Sequence, residues 1–162
     1  MENAIDTYLS LNHSFKQYYL KNYISLIGGD IAEDDEDMLY YDVYQDTEII
    51  MRGLSIPPNK DGFIYWIDAA YIHLLSEKHM VSICKDIYPA IAKKYNKTPM
   101  AVERAMRLCF ENAYYNINKT QKHNIVSDYF KNSLLNPHNS EILAKVVGLL
   151  VSKNFQQNKQ NI

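Results

Sequence analysis

From Phe63 to Leu150 the apolar residues recur three and four positions apart, and no stretch alternates with period two for long enough to make a confident strand. Phe63, Ile67, Tyr71, Leu74 and Leu75 form one stripe; Ile83, Ile87, Ile91, Ala92 and Tyr95 form the next. Val102, Ala105, Met106, Cys109 and Ala113 form a third, and Ile125, Tyr129 and Phe130 a short fourth. Ile142, Leu143, Val146, Val147, Leu149 and Leu150 form a last helix, which fades into the polar tail Gln156–Asn161. A chain patterned this way buries its stripes by packing helix on helix, so the fold class expected is all-α.

The first third of the chain differs. Ile5 to Ile27 carries Tyr8, Leu11, Phe15, Tyr18, Tyr19, Tyr23, Leu26 and Ile27 at helical spacing, and Gly28-Gly29 supplies a stop. Asp30 to Asp37 follows as an acidic stretch, expected to be a loop or a frayed helix start because its like charges repel. Ser55 to Gly62 reads as a linker. Residues 1–50 hold Lys16 and Lys21 against eleven acids, whereas residues 51–162 hold fifteen bases against eight acids. The split suits a basic domain for a polyanion with an acidic appendage, and equally two solvated surfaces of opposite sign.

Several classes are excluded or disfavoured. No apolar run reaches the ~18 residues of a membrane span, and no leader opens the chain, so a cytoplasmic protein with no membrane role is expected. Cys84 and Cys109 lie on apolar stripes without metal spacing and are expected as buried free thiols. The five histidines are scattered, and there is no Gly-rich phosphate loop or nucleophile signature. Hence no enzyme activity, cofactor, metal or small-molecule substrate is expected.

The informative junction lies at residues 87–107. A helix ends near Tyr95, Asn96 can adopt the left-handed conformation that turns the chain, Thr98 suits an N-cap and Pro99 a first helical position. Ala92, Asn96 and Val102 have the spacing of a helix-turn-helix. Projected at about 100° per residue from Val102, the second helix turns Ala105, Met106, Cys109 and Ala113 inward. Arg107, Glu111 and Arg104 fall at about 140°, 180° and 200°, on the outward face, and Glu103 at about 100°, on the flank. Arginine there can read guanine O6 and N7, and glutamate can accept from cytosine N4. An ordinary solvated face with a Glu103–Arg107 pair has the same pattern.

Ile87-Tyr88-Pro89-Ala90-Ile91-Ala92-Lys93-Lys94-Tyr95 and Val102-Glu103-Arg104-Ala105-Met106-Arg107 resemble the C-terminal DNA-binding domain of the stage zero sporulation protein A family. Gly62-Phe63-Ile64-Tyr65 and Asn139-Ser140-Glu141 resemble it too, and the likeness covers residues 53–154. The resemblance implies a compact domain of about six helices with a central helix-turn-helix, binding specific duplex sequences as a tandem pair. Carried over by position, Glu103, Arg104 and Arg107 match residues that face bases or nearby phosphates. The family has arginine where this chain has Ala101 and histidine where it has Leu108, so the family's target sequence is not assumed. The family's phospho-accepting receiver domain finds no counterpart in the residues before the match.

These observations together predict a double-stranded DNA-binding transcriptional regulator of sporulation type, a homodimer or tandem dimer on DNA, reading the major groove with helix 99–116. Candidate contacts are Glu103, Arg104, Arg107, Lys93, Lys94, Lys97, Thr98, Met100 and Ala101. The expected layout is an N-terminal helix and acidic segment (1–52) serving dimerisation or regulation, the DNA-binding domain (53–154), and a polar tail (155–162). The alternative is a helical interaction module, a dimeric adaptor or antagonist of a related regulator, that has lost DNA binding. Ala101 and Leu108 favour it.

Overall fold

The computed structural model describes residues 21–28, 36–75, 81–120, 123–135 and 138–162. The first part of the expected helix Ile5–Ile27, and Asp30 to Asp35 of the acidic stretch, lie outside them. Among the described residues every regular element is helical, as the stripes predict.

Residues 21–27 are helical and end at Gly28, whose φ of +78° is the left-handed geometry expected of a glycine stop. This turn packs on its own chain, with Tyr23 in the core. Helix α1, Glu36–Gly53, follows. It takes up the end of the acidic stretch as a helix start, one of the two outcomes expected there. Val43, Thr47, Ile50, Met51 and Leu54 fall at helical spacing and are buried, which holds the helix on the domain. Glu48 pairs with Arg52 at 2.6 Å, one turn on.

Helix α2, Asp61–Leu75, is central and packs on both α1 and the long helix α4, Pro99–Thr120. Gly62 lies in its first turn, where a Cβ would run into the Ala105 carbonyl and Cys109 Sγ, so glycine lets the two helices approach. Trp66, fully buried, donates from Nε1 to the Met106 carbonyl at 2.9 Å and meets Phe110 edge-on. These contacts fix α4 on α2.

A π-helical turn, Ile83–Ile87, leads into α3, Tyr88–Tyr95. This arrangement explains a proline within an apolar stripe. Pro89 occupies the first turn of α3, where its missing N–H costs nothing, and the wide turn before it needs no ordinary i→i−4 bond. Cys84 lies on that turn and is exposed, contrary to the buried thiol expected; only Cys109 is buried, which pushes its thiol up to about 11.

Helix α5, Ile125–Phe130, is closed by an Asn124–Ser127 capping box, and α6, Asn139–Leu150, buries the last stripe against α1 and α2. The tail is helical: α7, Lys153–Asn158, is capped by Ser152 and places Phe155 in the core, and a 3-10 turn, Lys159–Asn161, follows. Gln156 and Lys159 both donate to buried Asp46 of α1, at 2.8 and 2.9 Å, and Tyr23 donates to it at 3.3 Å. One acid of the N-terminal segment is thus a structural anchor. No described helix is long and apolar enough to cross a membrane.

Candidate nucleic-acid interface

The junction between α3 and α4 has the geometry its residues predict. Asn96 is left-handed, with φ 53° and ψ 51°, and both its N–H and that of Lys97 donate to the Ala92 carbonyl. Thr98 Oγ1 accepts from the Ala101 N–H at 3.2 Å, capping α4 at Pro99. Val102, Met106, Cys109 and Ala113 are buried against the core, and Ala105 is half-buried. The helix runs to Thr120, a turn beyond the expected 116.

The candidate contacts divide into three groups. Thr98, Met100, Ala101, Arg104, Lys93 and Lys97 are exposed around the turn and the start of α4, Met100 at 82%. Among the described residues Arg104 has no hydrogen-bond or ion-pair partner. Arg107 and Glu103 are instead joined: the Arg107 Nε donates to Glu103 Oε1 at 2.9 Å, and Nη1 donates to Glu111 Oε1 at 2.7 Å. One guanidinium is therefore clasped by carboxylates from the turns on either side, and Glu111 foremost, then Glu103, raise its pKa further. All three side chains remain about 40% exposed.

Lys94 is the third case. Its ammonium lies 3.0 Å from Asp68 Oδ1, and Asp68 is buried within α2. Tyr40 and Tyr95 donate to the same carboxylate at 2.6 Å each, and Lys94 sits over both rings. Burial, then the Asp68 bond, pushes both phenols up. Lys94 is thus tied to the scaffold, while Lys93 and Lys97 are exposed and have no partner among the described residues.

Two positioning groups escaped the sequence reading. Asp68 is a lone carboxylate in the apolar run Gly62–Leu75, a placement that requires buried partners, and this was the available signal. Asn139 Nδ2 donates to Tyr88 Oη at 2.8 Å and to the Glu103 carbonyl at 3.2 Å, joining the start of α6 to both helices of the junction. Burial pushes the Tyr88 hydroxyl up to about 12. Nothing in the local pattern singles out Asn139 beyond the resemblance of its segment.

A capped second helix, a left-handed turn residue and a buried crossing define a helix-turn-helix protein. The family model described as "Sporulation initiation factor Spo0A C terminal" matches residues 47–150, and the chain belongs to that family, whose domain is the DNA-binding effector. No solved structure matches the chain.

Proposed function

We propose that this chain is a sequence-specific duplex DNA-binding transcriptional regulator that reads the major groove with the N-terminal half of α4. The observation that carries the reading is the exposed, outward Arg104 beside Arg107 on a helix whose opposite face is buried. Both guanidinium groups suit guanine O6 and N7. Exposed Lys93 and Lys97 supply phosphate contacts at the turn, and Thr98, Met100 and Ala101 border the groove. Two half-sites read by two copies would add affinity without new contacts on either. Control by receiver phosphorylation forms no part of this reading, which rests on the helix-turn-helix alone.

Selection of bound sequences from a random duplex pool, followed by titration of the winner at several salt concentrations, tests the proposal. An enriched motif whose affinity falls steeply with salt is the expected result. A pool without enrichment refutes it. The interaction-module reading draws on apolar exposure along the same helix, at Met100, Leu108 and Tyr115, and predicts that second outcome together with a stable protein complex.

A further inference from the structure

Arg104 and Arg107 are the same residue type on one face of one helix, yet among the described residues only Arg107 is held. Resting on the groove-reading role proposed above, we infer that Glu111 is a positioning residue for base recognition: with Glu103 it fixes the Arg107 guanidinium so that its remaining N–H groups meet a guanine. The donor count permits this. Arginine carries five N–H groups. Glu103 takes the one on Nε and Glu111 one of the two on Nη1. Both hydrogens on Nη2 and the second on Nη1 remain, and a guanine needs two. The clasp can therefore persist in the complex.

The advantage is conformational. A free arginine loses much of its rotamer freedom when it docks, whereas a clasped one has already lost it. Glu111 also projects at the middle of the outward face, where an uncompensated carboxylate would repel phosphates. Electrostatics alone therefore says that removing it tightens binding to any duplex. Positioning says the opposite for the target, so the sign of the effect decides.

The test uses the full chain with the selected target and a scrambled duplex. Glu111→Ala should lower the target-over-scrambled affinity ratio about two- to fivefold, the range of an exposed ion pair. Glu111→Gln, whose amide oxygen can still accept from Nη1, should recover part of that loss. Base preference should relax at the position relaxed by Arg107→Ala and not at the one relaxed by Arg104→Ala. In an Arg107→Ala background, Glu111→Ala should leave the ratio unchanged. Glu48→Gln, which frees Arg52 from a matching i,i+4 pair on α1, is the control and should leave the ratio unchanged. Tighter target binding by Glu111→Ala, or an unchanged ratio while Arg107→Ala weakens binding, overturns the positioning role alone. An Arg107→Ala protein that binds its target undiminished removes the base-reading role of Arg107, and this inference with it.

Discussion

Substituting Gly62 and Gly148 by alanine makes the same chemical change in two helices and should give opposite results. At Gly62 a new Cβ would lie against the Ala105 carbonyl and Cys109 Sγ. The carbonyl belongs to the backbone of α4, so it can yield only if the helix moves. Overpacking of this kind costs ~1–3 kcal/mol, and more where backbone is the neighbour. Alanine returns at most about 0.5–1 kcal/mol of helix preference. The net expectation is a loss of about 1–2 kcal/mol or more. At Gly148 in α6 the nearest atom is Tyr129 Oη at 3.3 Å, the tip of a partly exposed side chain. There the helix preference should survive, giving a change between zero and ~1 kcal/mol of stabilisation. Urea denaturation of the two variants measures both. Because Gly62 sets the seat of α4, Gly62→Ala should also weaken target binding, whereas Gly148→Ala should not. A Gly62→Ala protein as stable as Gly148→Ala would refute the close crossing of α2 and α4.

Arg104→Ala and Arg107→Ala should each leave the melting temperature nearly unchanged while weakening target binding roughly 5- to 150-fold, as titration against the selected duplex would read. Ala101→Arg should shift the selected motif toward the family's own, and an unchanged motif would mean that position 101 does not reach a base. Tyr23→Ala should cost about 3–5 kcal/mol in denaturation, since the side chain is fully buried and its hydroxyl serves Asp46. Iodoacetamide at neutral pH should label Cys84 and spare Cys109 until the chain is unfolded, by mass spectrometry, because Cys109 is buried with its thiol raised to about 11.

The helix-turn-helix was legible because its rules are local. A left-handed turn residue, a threonine cap and a proline at the first helical position each act within a few residues, and Asn96, Thr98 and Pro99 take those roles. Which face of α4 looks outward followed from periodicity, since Val102 and Met106 could only turn inward. The state of each outward charge followed only in part. Lys93 and Lys94 are neighbours of equal charge, yet one is exposed with no partner among the described residues and the other is drawn to Asp68, 26 residues away. That difference depends on where α2 lies relative to α3, which no local pattern specifies. The Glu103–Arg107 pair that the i,i+4 spacing offered does form, and Glu111, one turn further on, joins it on the same arginine.

The charge split between the two halves of the sequence shows the same boundary from the other side. Counted along the chain, the acids before residue 51 look like an appendage set against a basic domain. In space Asp46 is a buried acceptor for Tyr23, Gln156 and Lys159, and Lys159 is one of the bases in the opposite half of the count. Glu48 offsets Arg52 across the same nominal divide. Lys94 is matched by Asp68 and Arg107 by Glu103 and Glu111. Each such pair removes a base from those free to meet phosphate. The positive charge available at the α3–α4 turn therefore comes from a few side chains unpaired among the described residues, Lys93, Lys97 and Arg104, rather than from the net charge of the domain. A surface of that kind holds DNA through a small number of placed contacts, so its salt dependence should be shallower than the basic excess of residues 51–162 alone would imply.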